Sequence, residues 1–511
     1  MSLDLAFGIA RNGLLATQRA LANVAQNITN AETPGYTRKS ATAIALTTNG
    51  MPLGVRLGEA QRHVDAALTA ERDSRGAEAA AATVRERLLA GIEAVHGATD
   101  AGDSLGDTIA ALRSSLTGLR GSPGDTGLQR DAAQAAMTVA TRFNEVAEAV
   151  GDARQQAQDG ILEEVQRINA GLRQIADLTT LIKGDTVRGL PTGDLEDQRD
   201  MALSRLSESL PVQALHQSDG GLVLVTRGGL GLALDPRGDA LSSEMATIGP
   251  SSFHGAGGTI PGITLGGVDV TRQLVGGRLG EYINLRDSTL PRYQAELDVA
   301  ASQLASRFNA QGLTLFTGSS GTVPDVSLGY SDPTGGQIGF ANQIRISAAV
   351  ATNPALLRDG THDVVDTPGG PTGFTTNPAG GPSGFATLLD RIIDHSLGEA
   401  VRDGTSWAPI PSGGLGPDGS LSSPFIPARS VEAYAATLTG AQTADRAAAT
   451  AARARAEGLK AGLDARFQNE SGVDPDAEVA ALIKLQNAYA ANARVMTTAQ
   501  QMWDALQGVG R

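Results

Sequence analysis

The sequence predicts a mainly α-helical protein with β-rich inserted domains. N- and C-terminal coiled-coil helices pair, a helical rod domain carries them, and outer β domains project from the rod. Three observations predict this. Both ends carry apolar residues at alternating steps of four and three, the seam of a coiled coil, narrower than the stripe of a helix lying on a globular core. Between them run proline-poor stretches rich in alanine, leucine and glutamine, a helical composition. Twelve of the 22 prolines fall between residues 321 and 430, which excludes long helices there and fits short strands joined by turns.

The N-terminal seam is Leu3, Phe7, Ala10, Leu14, Thr17, Leu21, Val24 and Ile28. Its helix should stop near Asn30, because Thr33-Pro34-Gly35-Tyr36 has the order of a type II turn. Helix is also predicted over 57–96, 126–184, 286–312 and 430–511. In the second of these, Val139, Phe143, Val146 and Val150, then Ile161, Val165, Ile168, Leu172, Ile175, Thr179 and Ile182, keep the same spacing. Leu222–Thr226 reads as a strand between glycine-bearing turns. Near the C-terminus Asp474 is a good N-cap and Pro475 suits the first helical position. The seam beyond them is Leu482, Leu485, Tyr489, Asn492, Met496, Ala499, Trp503 and Leu506. A lone seam is poorly stable in water, so the two ends should meet each other or copies in neighbouring subunits. The resulting division is 1–35 with 474–511 as a terminal coiled-coil assembly domain; 36–204 with 278–318 and 430–473 as a helical rod domain; 205–277 as a small β module; and 319–429 as a Gly/Pro-rich β-type outer domain.

The chain has 511 residues, enough for about three domains. It has no cysteine, which excludes disulfides, thiolate metal sites and a cysteine nucleophile. The net charge of −14, with no basic run, argues against nucleic-acid binding. There is no apolar run long enough for membrane insertion. The first residues lack a basic, then apolar, secretory leader, so the protein is expected to stay in the cytoplasm or to leave without a cleaved signal.

A search for chemistry finds none. The six histidines are never three or four residues apart, so no helical zinc pair exists. Asp194, Glu196, Asp197 and Asp200 are read as a helix start with ion pairs to the interleaved Arg199 and Arg205. Gly229-Leu230-Gly231 follows a strand but lacks the third glycine and the helix of a dinucleotide loop. No catalytic residue, metal or cofactor is expected. Asn27, Asn30, Thr33, Pro34, Gly35 and Tyr36 either end a helix in the ordinary way or form a functional loop.

Those residues carry a resemblance. NVAQNITNAETPGYTRKS at 23–40 resembles the signature shared by axial proteins of the bacterial flagellum: rod, hook and hook-associated proteins. The segment 471–506 is similar to the matching C-terminal signature through Glu478, Leu482, Gln486, Tyr489, Asn492, Ala493, Thr498, Met502 and Leu506. Two internal stretches, LEDQRDMALSRLSESLPV at 195–212 and the one opening GGRLGEYINLRD at 276–287, resemble the hook–filament junction family of the FlgK type. Residues 321–430 carry no such motif.

The resemblance implies a structural, non-enzymatic role joining hook to filament. It implies a helical homo-oligomer in contact with hook protein and a second hook–filament junction protein. It further implies an export chaperone on the C-terminal helix, type III export, and ends that order on assembly. Leu3, Phe7, Leu14, Leu21 and Ile28, facing Leu482, Leu485, Tyr489, Met496 and Leu506, would form the assembly interface. A hook or distal rod protein, or a helical binding scaffold or secreted effector whose ends merely dimerise, remain as alternatives.

Overall fold

A computed structural model of the chain describes residues 3–48, 51–96, 102, 104–426 and 428–509, with the side chains at 3, 48, 51, 52, 506, 508 and 509 left aside. Helix α1 (Leu3–Thr29) leads into the short strand β1 (Lys39–Ser40), the hairpin β2 (Ala43–Thr48) and β3 (Met51–Leu57), and β4 (Gln61–Arg62), which pairs with β1. The helix predicted from residue 57 therefore begins later. Asp65 caps α2 (Ala66–His96) by accepting from the Ala67 and Leu68 amides at 2.8 and 3.1 Å, and the residues before it are extended.

Helix α3 (Leu105–Gly121) opens with a capping box between Ser104 and Asp107. Helix α4 (Thr126–Arg188) is one uninterrupted rod of 63 residues, capped by Asp125 and ended by Gly189 in the left-handed region at φ 68°. All eleven of its seam positions from Val139 to Ile182 are buried. After α5 (Gly193–Ser209) comes the sheet of β5 (Val212–His216), β6 (Leu222–Thr226) and β7 (Gly231–Leu232), with β6 in the middle. A second small sheet joins β8 (Leu241–Ser242), β9 (Thr264–Leu265) and β10 (Val268–Asp269).

Helix α6 (Gly277–Asn284) runs through a π-helical turn, Leu285–Thr289, into α7 (Leu290–Ala310). The turn belongs to the second internal motif. Arg286 is fully buried there, donating to Gln158 Oε1 of α4 at 2.8 Å and forking onto Asp287. Burial is a structural duty for this arginine.

The proline-rich region holds strands of two or three residues: β11 (Phe316–Thr317) with β12 (Arg345–Ile346), β13 (Ala400–Arg402) with β14 (Thr405–Ser406), and β15 (Gly413–Leu415) with β16 (Leu421–Ser422). Short helices α8 (Ala348–Thr352), α9 (Leu356–Asp359) and α10 (Thr387–Arg391) lie among them. Frequent proline removes ladder donors, so most of this backbone is turn. Helix α11 (Val431–Ser471) then returns along α2, and after the break at Gly472–Asp474 helix α12 (Pro475–Val509) lies along α1.

One core runs from Leu88 and Leu89 of α2 through Phe143 and Ile161 of α4 and Leu297 of α7 to Phe340 and Leu415 of the outer region. The buried residues of the terminal pair, Ala10, Leu14, Val24 and Ala499, lie outside it. Among the described residues no helix is long and apolar enough to cross a membrane.

Candidate assembly interface

The α1–α12 pair is antiparallel: Gly13 abuts Asn492, while Arg38, past the end of α1, meets Glu478 at the start of α12. Gly13 permits the close approach, since a Cβ there would stand 3.0 Å from Asn492 Nδ2 and press on that side chain. On α1, Leu14 is buried and Leu21 and Ile28 are half-buried; on α12, Leu482, Leu485, Asn492 and Met496 are half-buried and Ala499 is buried. The seams thus cover each other within one chain, where the sequence left open a partner in a neighbouring subunit.

Two expected core residues sit at the margin instead. Phe7 is 38% exposed and Tyr489 36% exposed, because a lone pair of helices buries one strip and leaves its flanks wet. Gln486 is exposed. The side chains of Leu3 and Leu506 lie outside the described residues. Trp503, a predicted seam position, is exposed as well, and off the seam α12 presents Val479, Ile483, Val495 and Met502 to solvent.

The signature loop locks this pair to the rod. Thr33–Tyr36 is the expected type II turn: Tyr36 N donates to Thr33 O at 3.1 Å and Gly35 has φ 76°. Gly35 also lies against Met201 of α5, where a Cβ would come within 2.3 Å of the side chain. Asn30 donates to Gln26 O and accepts from the Thr33 hydroxyl. Asn27 is 1% exposed and acts as a surrogate strand residue. Its Nδ2 donates to Lys39 O at 2.9 Å, and its Oδ1 accepts from Lys39 N at 3.1 Å and from the Tyr36 hydroxyl at 3.0 Å.

Asp197, from the DQRD stretch, completes the clasp. Its carboxylate accepts from the Thr37 amide (3.2 Å) and hydroxyl (2.6 Å), from Lys39 Nζ (2.9 Å) and from Arg62 Nη1 (2.9 Å). Four donors fill the four acceptor directions of a carboxylate. Lys39 also reaches Asp194 at 2.6 Å, and Arg62 reaches Glu196 and Asp200. The acidic cluster is therefore paired with Lys39 and Arg62, not with the expected Arg199 and Arg205. Arg199 instead donates to Gly220 O at 2.9 Å. No local pattern announces such a pairing.

Burial works against the Lys39 ammonium, yet its hydrogen bonds to Asp194 and Asp197 outweigh it and hold the group above the ordinary lysine range. Burial raises the Tyr36 phenol, over the opposing pull of Lys39 stacked 3.6 Å from its ring centre. On the other side Arg38 Nε donates to Glu478 Oε1 at 2.6 Å, and Arg38 N donates to Ser471 O. Asp474 caps α12 through the Asp476 and Ala477 amides. The loop thus touches α1, α5, α11 and α12. Among the described residues no acidic or histidine group is arranged to hold a metal.

This geometry is that of a chain whose two ends close on one another beside a helical rod. The family model for the FlgK helical domain of flagellar hook-associated protein matches residues 89–322, and that for the C-terminal segment of the flagellar basal body rod FlgEFG proteins matches residues 465–509. Flagellar hook-associated protein 1 of Bacillus subtilis is 22% identical over 98% of this chain and 97% of its own length. That of Salmonella typhimurium is 27% identical over 59% of this chain, which spans only 55% of the Salmonella protein. A solved structure, the flagellar hook junction protein FlgK from Burkholderia pseudomallei, is 25% identical with a TM-score of 0.39, covering 50% of this chain and 45% of that one. By these matches the chain is similar to the flagellar hook-associated proteins of the FlgK type.

Proposed function

We propose that this chain is a structural subunit of the bacterial flagellum that joins hook to filament. Polymerised as a helical homo-oligomer, it would cap the hook protein and template the second junction protein and then flagellin. The observation that carries this reading is the apolar surface left on α12 after α1 has covered its seam: Val479 and Ile483 on one flank, Val495 and Met502 on the other. Exposed apolar flanks of this kind, spread over about 35 Å of helix, are dried by neighbouring copies stacked around an axis. The division into a terminal assembly domain, a rod and two outer insertions belongs to the same proposal. So do export through the flagellar type III apparatus, residence outside the cell at the hook–filament junction, and an export chaperone on α12 before assembly. The role requires no catalysis.

The test is Ile483→Glu together with Val495→Glu. Both side chains are exposed, so the monomer should fold normally and fail to polymerise. Cells carrying only this variant should keep hooks, lack filaments and shed flagellin. Filaments of normal length would refute the reading. Subunits found by electron microscopy along the whole hook would favour a hook protein instead.

A further inference from the structure

We propose that the free edge of β5 and the groove beside it take an extended, acidic segment of another polypeptide by strand addition. The register of the sheet fixes which backbone groups are free. Gln217 N donates to Gly221 O at 2.9 Å and Arg227 N to Pro211 O at 3.4 Å, so residues 211, 213, 215 and 217 face β6. Val212, Ala214 and His216 therefore turn their N–H and C=O groups the other way. No strand pairs with that edge among the described residues, since the sheet order is β5-β6-β7.

The edge does not open onto bare solvent. Val212, Ala214 and His216 line a groove of about 740 Å³ together with Val64, just before α2, Ala70 of α2 and Leu203 of α5. A row of outward donors and acceptors at strand spacing is complementary to the backbone of another strand. The aliphatic share of the lining, Val64, Ala70, Leu203 and Val212, favours small aliphatic residues at every second position of the occupant.

Charge selects the occupant further. Asp73 and Asp200 on the groove are answered by Arg72 and Arg62. Arg227, at the Val212 end, has only the Ser74 hydroxyl at 3.3 Å and no carboxylate among the described residues. Its exposed guanidinium calls for an acidic side chain on the incoming strand.

The test uses the full chain and blocked hexapeptides of alternating valine and threonine, ended on both sides by aspartate or on both sides by lysine, followed by fluorescence anisotropy. The aspartate peptide should bind about fivefold more tightly than the lysine peptide, the upper scale of one partly exposed ion pair. N-methylation of one alternating set of its amides should abolish binding, and of the other set should not. Ala214→Pro, which removes an outward N–H and spares the β6 rungs, should abolish binding too. Arg227→Glu, a surface change, should reverse the preference between peptides. Absence of binding at millimolar peptide, or binding indifferent to which amides are methylated, would overturn the proposal.

Discussion

Asn27 and Lys39 are joined by a reciprocal pair of hydrogen bonds in which a helix side chain takes the place of a strand backbone, at 2.9 Å outward and 3.1 Å back. Both residues are buried. Asn27→Ala would leave the Lys39 N–H and C=O without partners away from water, so it should cost about 1–3 kcal/mol. Asn27→Asp keeps the acceptor but places a carboxylate oxygen against Lys39 O, and should lose a similar amount. Urea denaturation of the two variants checks this; a midpoint equal to that of the parent chain would contradict it.

Asp197 holds four donors, two of them cationic, at a site 5% exposed. Removing it with Asp197→Ala strands the Thr37 amide and leaves Lys39 with Asp194 alone, a loss of charged hydrogen bonds that costs about 2–3 kcal/mol. Because the clasp ties the loop after α1 to α5, hydrogen exchange should rise first at residues 36–40 and 61–63. Exchange unchanged there would show that the clasp contributes nothing.

Much of this site was legible from sequence, and the boundary is physical. The type II turn at Thr33–Tyr36 and the cap at Asp474 follow from φ preferences and side-chain reach within a few residues, so local sequence specifies them. The seam of α4 repeats often enough for its period to be read. The β2–β3 hairpin was missed although Asn49-Gly50 stands between two alternating runs, a hairpin signal in its own right. The pairing of Asp197 with Lys39, 158 positions away, leaves no trace in composition or spacing. Nor does the role of Asn27, whose amide matters only because β1 comes to lie beside it. Gly13 reads as an unremarkable helical glycine until Asn492 is seen against it.

Gly13→Val should open the terminal pair and little else. The added side chain must displace Asn492, whose Nδ2 would stand 3.0 Å from the new Cβ. Since Leu14 and Ala499 lie outside the main core, α2 to α7 should melt unchanged. Limited proteolysis should then trim both ends faster than in the parent chain. Equal resistance of the ends would mean that the close approach is dispensable.

Gly35→Ala combines two penalties. Its φ of 76° disfavours any side chain by about 1–2 kcal/mol, and the Cβ would overlap Met201 as well. Gly35→Ala with Met201→Ala should recover the steric share and leave the backbone share. A double variant as unstable as the single one would assign the whole loss to the backbone.

The α2–α7–α11 junction gives a pH dependence whose sign follows from burial. Glu296 of α7 is pushed up to about 7 by desolvation, with Arg292 pulling partway back and Gln442 and Asp445 of α11 facing it. In the unfolded chain it ionises near its ordinary 4.5, so between these values the folded state holds the extra proton. Its contribution is fully present below about 4.5 and is lost as pH rises through about 7. Asp298, raised by burial to about 6, acts in the same direction. His96, lowered by burial although hydrogen-bonded to Gln442, acts oppositely, losing stability as pH falls below its ordinary 6.5. The isolating measurement is Glu296→Gln, which keeps the proton-bearing shape at every pH. Its urea midpoint should exceed that of the parent near neutral pH, and the excess should shrink as pH falls and level off below about 4.5. Parallel midpoints across that range would mean that Glu296 ionises as freely in the folded chain as in the unfolded one.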